Sequence, residues 1–140
     1  MSLESQKELS RRVLGLWDHR STDRAEDLVS TDYVNHQMPD VTGGTSAKNL
    51  DEWKTLVNGF LQGFPDAEID ILTQVAEGDL VATRWQLNGT HQGDFGGIAA
   101  SGKRAAWTGV QTDRHAEGKV VESWVDWDKY GFLAALDAVN

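Results

Sequence analysis

The stretch DLVATRWQLNGTHQG, residues 79–93, alternates in a way that no helix does. Val81, Trp85 and Leu87 share one parity, while Arg84, Gln86 and Asn88 share the other. Successive side chains of a β-strand point to opposite faces. One apolar and one polar parity therefore predict a strand with one face on a core.

The same period continues on both sides. AEIDILTQVAEG (67–78) reads as a strand ending in a Gly-containing turn. RAAWTGVQTDRH (104–115), the turn AEGK and KVVESWVDW (119–127) read as a hairpin, and DKYGFLAALDAV as a short helix or turn. Before residue 67 the period is 3.6. SQKELSRRVLGLWDHRS (5–21) carries Leu9, Val13, Leu16 and Trp17 at helical spacing. A cap signal at Ser21 or Thr22 predicts a second short helix around 23–29. DYVNHQMPD reads as an extended segment closed by Pro39, followed by the loop TGGTS (42–46). In SAKNLDEWKTLVNGFLQGF, Leu50, Trp53, Leu56, Val57 and Phe60 mark a third helix, which FPD (64–66) stops. Helices first and strands after predict an α+β fold. N-terminal helices would pack on a curved, mainly antiparallel sheet and enclose a cone-shaped pocket. No repeat or linker divides the 140 residues, so one domain spanning 1–140 is expected.

Composition narrows the function classes. The chain has no cysteine, which excludes disulfides, thiolate metal sites and a cysteine nucleophile. Its net charge is −9, from 22 acidic and 13 basic residues without a basic stripe, which argues against nucleic acid. MSLESQKELSRR has no apolar run for a signal peptide, and no stretch reaches the ~20 apolar residues of a membrane span. A soluble cytoplasmic protein is the expectation. Six tryptophans suggest walls for a flat, hydrophobic or aromatic small molecule. His19, His36, His91 and His115 lack metal-ligand spacing, so no metal is expected. GDFGG does not lead into a helix with Lys-Ser/Thr and is no phosphate loop. HQGDFGGIAASGK reads instead as a Gly-rich connection at the lip of a pocket.

Five segments, DYVNH (32–36), GFLQGFPD (59–66), VAEGDLVATRWQLNGTHQGDFGGI (75–98), SGKRAAWTGV (101–110) and EGKVVESWVDWDKYGFLAAL (117–136), carry a resemblance. Together they resemble the SnoaL-like polyketide cyclase family, within the NTF2-like (cystatin-like cone) fold. The likeness covers essentially the whole chain in order. It implies a homo-oligomer (dimer or tetramer), a pocket beside the first helices, and no metal or organic cofactor. In the aldol-cyclase members an aspartate on the last strand acts as acid/base beside a histidine. Counting from EGK (117–119), the histidine falls on Gln111 and the aspartate on Val125. The chain departs from the cyclase pattern at both positions.

The remaining candidates each have a plainer alternative. On VVESWVDW, Val121, Ser123, Val125 and Trp127 share the apolar parity, which turns Asp126 away from the pocket. Asp128 is a candidate proton carrier, but its place before a helix makes it a natural N-cap. His91 shares the parity of Trp85 and Leu87 and could carry a proton, or be a fixed structural histidine near a loop. Gln111 can hydrogen-bond a ligand oxygen but cannot take up a proton. Asp113 shares its face with Gln111 and Trp107. Buried, it would be the best replacement base; at a strand end, solvated, as Asp usually is, it would be inert. The resemblance marks Asn35 and Trp17 as ligand contacts. His36 is placed with Asn35 at the pocket rim, and Trp53, Phe60, Trp85 and Trp127 lie on core-facing stripes.

The expected function is cofactor-free proton transfer, such as aldol cyclisation or isomerisation, on a small hydrophobic oxygenated molecule. The alternatives are a non-catalytic small-molecule-binding protein and a hydroxylase-like relative.

Overall fold

The computed structural model describes residues 1–38 and 46–138. Four helices and five strands follow the order α1 (Leu3–Gly15), α2 (Ala25–Leu28), β1 (Val29–Met38), α3 (Leu50–Gly63), β2 (Glu68–Glu77), β3 (Leu80–Thr90), β4 (Arg104–Ala116), β5 (Lys119–Trp127) and α4 (Lys129–Ala135). The stop at Pro39 and residues 42–45 of the expected loop lie outside the described residues.

The helices begin where side chains supply the missing acceptors. Ser2 caps α1, Asn49 accepts from Glu52 N at 2.9 Å at the start of α3, and Asp128 accepts from Gly131 N at 2.9 Å at the start of α4. Their apolar stripes then face the sheet: Leu9, Val13 and Leu14 of α1, and Trp53, Val57 and Phe60 of α3 are buried.

The sheet runs β1-β5-β4-β3-β2. β2 to β5 form an antiparallel meander, and β1 joins the far edge parallel to β5. The extended segment expected before Pro39 is therefore a full sheet strand. Along β3, Val81, Thr83, Trp85 and Leu87 are all buried, as the parity of 79–93 predicts. On β5 the alternation is broken once. Arg114 pairs with Glu122 but His115 pairs with Val120, so Val121 is an extra residue. This bulge puts Val120 inside in place of Val121 and leaves Ser123, Val125 and Trp127 on the expected face.

Two apolar clusters fill the space between helices and sheet. Leu9, Val13, Leu28, Tyr33, Trp53 and Val120 form one. Phe60, Phe64, Trp85, Trp107, Val125 and Phe132 anchor the other, which surrounds the cavity.

Candidate functional site

Strand register builds the cavity in rows. Trp85 on β3, Gly109 on β4 and Trp127 on β5 pair laterally. The next row carries Gln111 on β4, Val125 on β5 and Gln37 on β1. One row deeper are Asp113, Ser123 and Asn35. Gly109 is what lets the first row form. A Cβ there would run into the Trp85 indole and the Asp126 carbonyl, so only glycine lets the ring lie flat across the strand.

The cavity measures about 60 Å³, room for a few waters and far less than the roughly 300–1,000 Å³ of a typical ligand pocket. A drug-sized guest therefore needs the walls to part. Helix residues Leu14, Leu56, Phe60 and Phe132 cover it together with Trp17 from the turn after α1, Phe95 comes from the 91–103 connection, and Trp85, Trp107 and Trp127 rise from the sheet. Edge-on ring contacts lock these walls, with Trp17–Phe60 at 5.5 Å and Trp107–Phe132 at 4.7 Å between centroids. Gln37 and Gln111 supply amide groups in its lining. No Asp, Glu, His, Lys, Arg or Tyr lines it among the described residues.

Of the expected ligand contacts, Trp17, Phe60, Trp85, Gln111, Val125 and Trp127 meet around this cavity. Asn35 does not reach it: fully buried one row below, it hydrogen-bonds Tyr33 and Gln37. Trp53 belongs to the other cluster, packed edge-on against Tyr33 at 5.0 Å. It borders a separate outer recess with Lys54 and Asn58. His36 is a correction. Neighbouring strand residues face opposite ways, so the burial of Asn35 turns His36 to the outer face. There it stacks on Trp124 and meets Glu122 at 2.8 Å.

The three expected proton carriers also move. Asp128 is exposed and caps α4, so it has no place in the cavity. His91 is fully buried behind Phe64, on which it stacks at 5.2 Å, and its Nδ1 lies 2.9 Å from Ser101 Oγ. With Lys103 and Gly102 bonding its backbone, it fastens the base of the 91–103 connection. Asp113 is not solvated. It is fully buried, and burial pushes its carboxyl above the usual carboxylate range against opposing hydrogen bonds from Ser123 and Gln111. A lid of α1 explains this, since Ser10 lies over the same part of the sheet and meets His115 Nε2 at 2.9 Å. Burial lowers the His115 imidazole, which favours its neutral form.

Gln37 escaped the sequence reading. The available signal was its two-residue step from Asn35, which puts both on the inner face of β1. Among the described residues no three His, Cys, Asp or Glu side chains are grouped to hold a metal ion, and no helix is long and apolar enough to cross a membrane.

Comparison with known proteins supports the geometry. A family model described as SnoaL-like polyketide cyclase matches residues 7–136. The chain is similar to AclR from Streptomyces galilaeus, a candidate hydroxylase, with 27% identity and a TM-score of 0.83 over 99% of this chain and 100% of that one. It is similar to IdmH from Streptomyces antibioticus, a candidate polyketide cyclase, with 26% identity and a TM-score of 0.79 over 94% and 98%. A candidate SnoaL-like polyketide cyclase from Jannaschia sp. CCS1 shares the fold, with 19% identity and a TM-score of 0.85 over 98% and 94%. No curated protein matches the sequence.

Proposed function

The chain belongs to the SnoaL-like polyketide cyclase family, and we propose that it binds a small, hydrophobic, oxygenated molecule of the polyketide kind in its cone. The aromatic walls hold the rings, and Gln37 and Gln111 fix an oxygen. The molecule is shaped and oriented there without a side-chain acid or base in contact with it. One observation carries this reading: among the described residues, the cavity lining holds amides and apolar groups but no side chain that titrates near neutral pH. Residues 111 and 125, where the cyclases resembled by this sequence keep their histidine and aspartate, are a neutral amide and an alkyl group. The test is saturable quenching of tryptophan fluorescence by an aromatic polyketide-type ligand. Binding should weaken in Gln111→Ala and stay unchanged in His91→Ala. No saturable binding by any such ligand would sink the proposal.

A second reading retains proton transfer and rests on Asp113. Its carboxyl lies one hydrogen bond behind Gln111, with 2.8 Å between Gln111 Nε2 and Asp113 Oδ1. A swing of Gln111 would open a route from that proton to a bound ketone. Loss of deuterium exchange at a ketone α-carbon in Asp113→Asn, with binding retained, favours this reading. Equal exchange in both proteins removes it.

A further inference from the structure

The polar side chains beneath the cavity form one directed hydrogen-bond chain. Tyr33 Oη donates to Ser123 Oγ at 2.8 Å, which leaves its oxygen to accept from Asn35 Nδ2, also at 2.8 Å. That orients the Asn35 amide, whose Oδ1 accepts from Gln37 Nε2. Ser123 Oγ donates in turn to Asp113 Oδ1, which accepts a second bond from Gln111 Nε2. Every donor in the chain thus points toward one acceptor, Asp113 Oδ1.

An amide has a donor end and an acceptor end. With each nitrogen anchored downward through one of its two N–H groups, each amide turns its carbonyl end, Gln37 Oε1 and Gln111 Oε1, toward the cavity. Neither oxygen has a protein partner among the described residues, and neither is sealed from the cavity that the two residues line. Val125, between them in the row, adds no polar atom.

We propose that Asp113, from outside the cavity, sets what the cavity selects: by holding the Gln111 amide nitrogen directly, and that of Gln37 through Ser123, Tyr33 and Asn35, it turns two carbonyl oxygens toward the guest, so that a phenol or enol hydroxyl is preferred over a carbonyl or ether. This rests on the binding reading above and names its substrate class. A hydroxyl placed at the row satisfies an acceptor. A ketone or ether placed there sets oxygen against oxygen and leaves both without a hydrogen. Asp113 is a positioning residue in this scheme, and the ratio of affinities for matched guests reads its role where stability alone would not.

Calorimetric titration with 2-naphthol, 2-methoxynaphthalene and 2-naphthaldehyde tests it. The unaltered protein should bind the naphthol about fivefold or more tighter than the other two, the worth of one net hydrogen bond. In Gln111→Met, which keeps the volume and removes one of the two acceptors, that ratio should fall by about twofold or more while the ether still binds. Asp113→Val, checked for folding by circular dichroism, should lower the preference in the same way because the Gln111 amide is released. Equal or tighter binding of the aldehyde to the unaltered protein overturns the inference. So does a preference that is undiminished in Gln111→Met or in folded Asp113→Val. If none of the three guests binds the unaltered protein, the binding reading itself fails.

Discussion

Gln111 on β4 is paired directly with Val125 on β5, so the two positions that the cyclase resemblance makes acid/base sites lie side by side, both neutral. The carboxylate of this chain sits one row deeper, at Asp113 opposite Ser123. Burial there changes what a carboxyl can do. In the cavity row it would meet a guest directly; behind the row it acts through Gln111, which stands between them.

Restoring a carboxyl to the row should cost stability. Val125 is 4% exposed and surrounded by aromatic rings, so Val125→Asp buries an acid with no cation nearby. We expect a loss of roughly 1–3 kcal/mol near pH 8. Desolvation raises the folded pKa of such a group, so the folded form holds its proton more tightly than the unfolded form. The deficit should therefore shrink as pH falls. Thermal melts at pH 5 and pH 8 read this directly, and an equal deficit at both contradicts a buried carboxyl.

Asp113 makes its own pH signature. Its carboxyl is raised by burial, so its stabilising contribution is fully present below the unfolded value of about 3.9 and is lost as pH rises through the folded value. Asp18 behaves oppositely. Burial works to raise it, but hydrogen bonds from the Arg20 side chain and backbone and from Ile69 N hold it at about 2. Its contribution is present above the unfolded value and fades only as pH falls toward 2. Above the unfolded value the Asp113 effect stands alone of the two. Asp113→Asn should flatten the decline of Tm that sets in as pH rises above about 3.9; identical slopes would contradict the assignment.

His91 and Asp128 should prove to be supports. His91→Ala removes a fully buried ring behind Phe64, with an expected loss of about 2–4 kcal/mol, while ligand affinity is kept. Asp128→Ala removes the α4 cap and should cost about 0.5–2 kcal/mol, again with affinity kept. Paired melts and fluorescence titrations separate these outcomes. A large fall in affinity at full stability would return either residue to the site.

Gly109→Ala tests the packing of the first row. The added methyl would strike the Trp85 indole and the Asp126 carbonyl, one of them backbone and unable to yield. A loss of about 1–3 kcal/mol is expected, with an altered tryptophan emission as Trp85 is displaced. An unchanged melt and spectrum would show that the ring has room to move.

Much of this arrangement is legible in the sequence, and the reasons for the rest are specific. Parity alone put Trp85, Gln111 and Val125 on one face and Asp126 on the other, because a strand's alternation is local. Asp128 before YGFLAAL announces a cap for the same reason. The fate of Asp113 is not local. It depends on α1, a hundred residues earlier, laying Ser10 and its neighbours over the lower sheet. The outward turn of His36 and the inward turn of Gln37 share one cause that the sequence does not display, since the phase of β1 is set by its pairing with β5. The Val121 bulge likewise arises from two strands meeting, and neither strand shows it alone.

The parallel pairing of β1 with β5 has a consequence for how the site comes into being. It joins Val29 to Val120 and Gln37 to Val125, across most of the chain's length, at an edge of the sheet. Contacts so distant in sequence carry the greatest loop-closure cost and are expected to form after the local hairpins. The meander can exist with Gln111 and Val125 in place and Gln37 absent. A guest that engages both glutamines would then act as a clasp on the edge strand, and slowed amide exchange along residues 34–37 would be its signature.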